Sequence, residues 1–107
     1  MTKFTGKEGR PFTDIADAAA LTKAHRVANK PNPNSRNAHF MGRNEIEKLL
    51  GQPGAMGIRV YHGLNSDGSQ ELIFVAAGED RKDILDRVSD SCVPCPNYCD
   101  ENSPLNR

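Results

Sequence analysis

The residues best suited to chemistry are three cysteines that fall within eight positions, Cys92, Cys95 and Cys99. Two and three residues separate successive sulfurs, so one loop can present several thiolates to Zn²⁺ or to an iron–sulfur cluster. A structural zinc ion takes about four ligands, and the fourth must then be a histidine, with His62 as the first candidate. The spacing predicts a thiolate metal site made of Cys92, Cys95, Cys99 and His62.

The same cysteine segment has two competing interpretations. In one, Cys95 and Cys99 form a disulfide that acts as a structural clasp; in the other, the thiols stay reduced and pack as small apolar groups. The sequence has no fourth cysteine, and the other histidines, His25 and His39, lie where hydrogen-bonded structural rings are more common than ligands. By default we expect no bound cofactor, with zinc or an iron–sulfur cluster as the alternative.

Arg59 and Tyr61 are the remaining candidate site residues. Side chains alternate over residues 56–63, which places Arg59 and Tyr61 on the face opposite His62. A catalytic pocket would need these groups to converge, and the alternation keeps them apart. We therefore predict that Arg59 and Tyr61 contact a partner, and we favour a non-enzymatic role, with a hydrolase or transferase as the third-ranked alternative.

Length and composition limit the architecture that can position these residues. A chain of 107 residues with 36% hydrophobic side chains builds one domain with a modest core. The longest apolar run, residues 72–77, is far shorter than the about 20 residues that span a bilayer. The first residues also lack the apolar segment of a signal peptide, so the sequence predicts a cytoplasmic protein without a membrane partner.

The charge of the chain is balanced overall but divided along its length. Net charge is zero, which disfavours binding to nucleic acid. Residues 1–62 carry ten basic and five acidic side chains, whereas residues 63–107 carry four basic and nine acidic ones. These halves either pair with each other within one chain or support head-to-tail self-association between copies.

The first half of the chain predicts two helices after an arm over residues 1–12. Residues 15–29 are rich in helix formers, and Thr13 or Asp14 is placed to cap them. One side of this helix is expected to be buried and consists of Ala20, Leu21, Ala24, Val27 and Ala28. After a Pro/Asn loop at residues 30–38, Asn44 is the expected cap of a short helix that ends at Gly51.

The second half predicts a β-hairpin and a third helix. Residues 56–63 and 72–77 read as its strands because of their alternation, their apolar content and the Asp-Gly turn between them. Ile84, Leu85 and Val88 have helical spacing and predict a helix over residues 80–88. The expected fold is α+β: a small antiparallel hairpin or sheet covered by two or three helices, with a C-terminal cysteine-rich loop. Residues 13–100 form the single domain, and residues 101–107 form a tail.

Three segments together resemble a family of small uncharacterised bacterial proteins. They are His39-Phe40-Met41-Gly42, Gly57-Ile58-Arg59-Val60-Tyr61-His62-Gly63 and Pro94-Cys95-Pro96-Asn97-Tyr98-Cys99-Asp100. The resemblance implies an aromatic-glycine turn, a Gly-Ile-Arg strand and a Cys-Pro-Pro-Tyr-Cys-like ending, but no known activity. Asn97 replaces the second proline of that ending and Cys92 is additional, which makes a clasp between Cys95 and Cys99 more attractive than a metal cluster.

Two classes of function follow from these features. The first is a non-enzymatic protein-interaction or assembly subunit, supported by the missing catalytic motifs and the divided charge. The second is a small metal-binding or redox protein that uses the cysteines. No nucleotide loop competes with them, because residues 51–54 lack the Lys-Ser/Thr pair that completes such a motif.

Overall fold

The computed structural model describes residues 2–107; Met1, the first residue of the predicted arm, lies outside them. The elements are α1 (Ile15–Asn29), β1 (Ala38–Phe40), α2 (Arg43–Leu50), β2 (Ala55–Leu64), β3 (Gln70–Gly78), β4 (Asp83–Asp90) and β5 (Val93–Cys95). The strands form two antiparallel sheets, β2-β3-β4 and β1-β5. The predicted α+β class is confirmed. Within residues 2–107, no helix is both long and apolar enough to cross a membrane.

The predicted hairpin is present as β2 and β3. Val60 pairs with Phe74 and His62 with Leu72 in a regular antiparallel register, so His62 and Val60 share one face of the sheet. The turn contains Gly68 at φ 85°, a left-handed conformation that suits glycine. Arg59 and Tyr61 lie on the opposite face, as their alternation predicts.

The helix predicted over residues 80–88 is wrong, because this segment forms β4. Ile84 pairs with Ala76 of β3, and Val88 pairs with the preceding residue, Val75. Three residues of β4 therefore stand between two adjacent pairs, which is a bulge in the strand. On either side of the bulge, the paired residues of β4 satisfy the edge of β3 with hydrogen bonds that a helix could not supply.

Helix α2 covers one face of the three-stranded sheet. Its only buried residue is Leu49, whose side chain is 0% exposed. Gly42 is the N-cap residue and makes no side-chain hydrogen bond, so the expected cap at Asn44 is wrong by two positions. The helix ends at Gly51, as predicted. With so few buried side chains, the attachment of α2 to the sheet depends strongly on Leu49.

A charged contact holds the start of α2 on β4. Arg87 donates to both carboxylate oxygens of Glu45, from Nε at 2.5 Å and from Nη2 at 2.7 Å, and Ser89 Oγ donates at 2.6 Å. The hydrogen bond from Arg87, followed by that from Ser89, lowers the pKa of Glu45 to about 2. The ionised carboxylate is therefore stabilised by folding.

We expect Glu45→Gln to make the protein less stable at neutral pH and to flatten its response to acid. The depressed pKa of Glu45 means that its contribution is present above the ordinary value of 4.5 and is lost as the pH falls toward about 2. Thermal unfolding followed from pH 7 to pH 2 tests this. Glu47→Gln, an exposed site on the same helix, is the matched control; equal pH profiles for the two variants would contradict the role of Glu45.

Helix α1 has the predicted bounds, but the side that faces the rest of the chain is the opposite of the predicted one. Asp14 caps it by accepting from the Ala16 N–H at 2.9 Å. The side expected to be buried is exposed instead, with Leu21 at 64% and Val27 at 63%. The polar side, with Thr22 and His25, is the half-buried one. No residue of α1 is fully buried, so α1 does not cover the sheet as α2 does.

Candidate functional site

A groove of about 880 Å³ between α1 and the hairpin is the largest of the described cavities. Its walls are Leu21, Thr22 and His25 of α1 and residues 36–39, 62–64 and 70–72. The volume lies within the about 300–1,000 Å³ of typical ligand sites. This groove gathers residues that are far apart in sequence and is the best candidate for a binding site.

All three histidines of the chain line the groove. His25 Nε2 donates to the Arg36 carbonyl at 3.0 Å, and His39 Nε2 donates to the Gln70 carbonyl at 3.2 Å. Carbonyl oxygens only accept, so both rings carry a hydrogen on Nε2. His25 thus ties α1 to the loop before β1, and His39 ties β1 to β3, whereas His62 has no hydrogen bond among residues 2–107.

The predicted metal ligands are not gathered at one point. Cys95 and Cys99 are joined by a disulfide with a Cα–Cα distance of 4.9 Å. Cys92 is exposed and donates to Asp90 Oδ1 at 2.5 Å, a hydrogen bond that raises the pKa of the thiol. His62 lies in the groove. Nowhere in residues 2–107 do three or more His, Cys, Asp or Glu side chains form a group that could hold a metal ion.

The disulfide closes a short loop beside the small sheet. Cys95 is buried and pairs with Ala38 of β1. Its carbonyl accepts from the Asn37 N–H at 2.7 Å, and the Tyr98 N–H donates to the Pro94 carbonyl at 3.0 Å. This arrangement makes Cys95–Cys99 part of the scaffold of β1 and β5. Disulfides are rare in the cytoplasm. This bond is therefore in conflict with the predicted cytoplasmic location.

Arg59 and Tyr61 both contact Asp83, a residue that the sequence patterns did not associate with them. Arg59 Nη1 lies 2.5 Å from Asp83 Oδ1, and Tyr61 Oη donates to Asp83 Oδ2 at 2.6 Å. Those hydrogen bonds, led by the one from Tyr61, lower the pKa of Asp83, and the Asp83 carboxylate raises the pKa of Tyr61. The Phe4 ring lies 5.5 Å from the Arg59 guanidinium. The polar groups of Arg59 and Tyr61 are thus already paired with Asp83 of the same chain.

The division of charge is partly resolved by contacts inside one chain. Lys3 and Arg59 of the basic half pair with Glu79 and Asp83 of the acidic half, at 3.5 and 2.5 Å. The Lys3–Glu79 pair is exposed and contributes little stability, whereas the Arg59–Asp83 pair is partly buried. They do show that basic and acidic halves contact each other without a second copy.

Arg36 is the groove residue that sequence patterns could not single out. It follows the Pro/Asn loop, outside any periodic segment, and its side chain is half-buried. Only the fold brings it to Leu72 and His62 in one cavity. The count of histidines was the single available signal for the site, since all of them converge there.

Comparisons with known proteins give no relative: no family model matches the chain, and neither the curated proteins nor the solved structures contain a match. The resemblance of residues 39–100 to small bacterial proteins stays a prediction.

Proposed function

We propose that this protein is a non-enzymatic assembly subunit that associates with a second copy of itself. The supporting observation is its surface: the chain exposes 7970 Å², whereas a compact monomer of 11.7 kDa exposes about 5,900 Å². The radius of gyration of 15.5 Å likewise exceeds the about 13 Å of a compact domain of this length. The single chain leaves surface uncovered that folding normally buries.

The size of the excess exposed surface favours a second copy of the chain as the partner that buries it. It amounts to about 2,100 Å², and a protomer of an obligate homodimer buries about 1,000–2,500 Å² in its interface. A small transient partner would cover much less.

The outer side of α1 is the surface that most needs covering. An isolated helix of about 15 residues is marginal in water even when rich in alanine, and no residue of α1 is fully buried in the chain. Its apolar residues on the side away from the groove-lining Leu21, Thr22 and His25 are exposed, and they are Ala20, Ala24, Val27 and Ala28. Contact between copies along this side would bury them together.

Light scattering coupled to size-exclusion chromatography tests the assembly. We expect a mass of about twice that of one chain that persists on dilution and in high salt, because apolar burial is not screened by ions. Dissociation in high salt would instead indicate head-to-tail electrostatic association. A monomer at every concentration, with α1 still helical by circular dichroism, would overturn the proposal.

Val27→Gln is expected to weaken the dimer by about tenfold or more, because it removes an apolar side chain from the contact. Glutamine is a better helix former than valine, so the helix itself is preserved. Lys23→Gln, an exposed polar site one turn earlier, is the matched control and should leave the dissociation constant unchanged. The metal alternative has less support, because Cys95 and Cys99 bond to each other.

A further inference from the structure

Arg36, a half-buried residue whose side chain has no acceptor in the described chain, is among the residues that line the three-histidine groove. The backbone of Arg36 is held at both ends: its N–H donates to Gln70 Oε1 at 3.0 Å, and its carbonyl accepts from His25. Its side chain, in contrast, makes no ion pair or hydrogen bond with any of residues 2–107. A guanidinium offers five donors and cannot lose its charge, so these donors remain available to a ligand.

The neighbouring carboxylate, Asp67, does not neutralise this charge directly. The pKa of Asp67 is lowered first by hydrogen bonds from Ser69 and only then by the charge of Arg36. Its Oδ1 accepts from Ser69 N at 2.9 Å and from Ser69 Oγ at 2.6 Å. Asp67 is thus hydrogen-bonded within the turn, and the charge of Arg36 affects it without a direct contact.

The rest of the groove combines apolar walls with hydrogen-bonding groups. Leu21, Leu64 and Leu72 supply the apolar surface, and His62 adds an imidazole without a hydrogen bond in the described chain. The acidic residue of the lining, Glu71, accepts from the Leu72 N–H at 3.2 Å. An anionic head beside Arg36 and an apolar body along the leucines match this distribution.

We propose that the groove binds a small organic carboxylate with an apolar body. The carboxylate lies on the Arg36 guanidinium, which matches its planar, two-oxygen geometry. The apolar part packs on Leu21, Leu64 and Leu72. A dianionic phosphate fits less well, because one guanidinium balances a single negative charge and each further negative charge adds to the repulsion from Glu71. This binding site goes beyond assembly and does not depend on it.

Titration calorimetry with sodium octanoate, below its micelle concentration, tests the site on the full chain. We expect saturable one-to-one binding, with weaker binding of the neutral analogue 1-octanol and of acetate, which lacks the apolar body. Arg36→Gln should weaken octanoate binding by about tenfold or more, as expected for loss of a charged hydrogen-bonded pair. Arg43→Gln, an exposed arginine outside the groove lining, should bind like the wild type.

A second variant separates the apolar contact from the charge. Leu64→Ser changes an exposed side chain and should weaken octanoate without altering the response to acetate. Equal binding of octanoate and octanol, or unchanged binding by Arg36→Gln with a preserved amide spectrum, would overturn the proposal. A monomer that binds octanoate would refute only the assembly, and a dimer that does not bind it would refute only this site.

Discussion

Replacing Leu49 with alanine is expected to lower the free energy of unfolding by about 2–5 kcal/mol. Leu49 is one of two large side chains that are fully buried in the described chain, together with Val75. It is also the only buried residue of α2, the helix that packs on β2 and β3. Shortening it removes apolar contact and leaves a cavity at the centre of a core that has few other members.

The loss is large compared with the stability available to a chain of this size. Small domains are stable by about 5–15 kcal/mol, and a thin core places this protein toward the lower end. Urea unfolding at fixed protein concentration, followed by circular dichroism, measures the change; fixed concentration matters because association adds to apparent stability.

Leu50→Ala provides the control on the same helix, with the same chemical change at a side chain that is 45% exposed. We expect a clearly smaller loss there, since less apolar surface leaves water on folding. If the two substitutions destabilise equally, α2 is not anchored through Leu49. If neither matters, the sheet is stable without α2.

Local patterns were sufficient for the elements whose contacts are close in sequence. The bounds of α1 follow from its helix formers and the cap at Asp14, and the hairpin follows from alternation on both sides of the Asp-Gly turn. The end of α2 at Gly51 is a local signal as well. In each case the signal is local: a cap, a terminal glycine, or two strands that follow one another through a single turn.

The failure at β4 has a specific physical cause. In the bulge, three residues of β4 lie between Ile84 and Val88, whereas their partners on β3 are adjacent in sequence. Apolar residues therefore recur at a spacing of four positions, which imitates a helix, although their backbone belongs to a strand. Only the unpaired edge of β3, a long-range feature, decides between the two structures.

The orientation of α1 and the composition of the groove were also beyond local patterns. A helical wheel identifies the apolar side of α1 but does not tell whether the same chain or another one covers it. The hydrogen bond from His25 to the Arg36 carbonyl turns the polar side inward. That contact then brings Arg36 beside β2 and β3, so the candidate site depends on contacts between distant segments.

Removing the Cys95–Cys99 disulfide is expected to cost about 2 kcal/mol. The bonded residues are separated by 4 positions, and closing so short a loop in the unfolded chain has an entropic cost of about 2 kcal/mol at room temperature. The double variant Cys95→Ala/Cys99→Ala should therefore unfold at a lower temperature. The N–H of Asn37, which donates to the Cys95 carbonyl, should exchange faster with solvent.

A thiol reductant distinguishes the disulfide from simple packing of the sulfurs. The wild type should become as unstable as the double variant when reductant is added, and the double variant should not respond. Cys92→Ala leaves the disulfide intact and removes the exposed thiol, so it should match the wild type with and without reductant. A wild type that ignores reductant would show that Cys95 and Cys99 stabilise the β1-β5 sheet by burial alone, and the thiolate-metal hypothesis would regain its ligands.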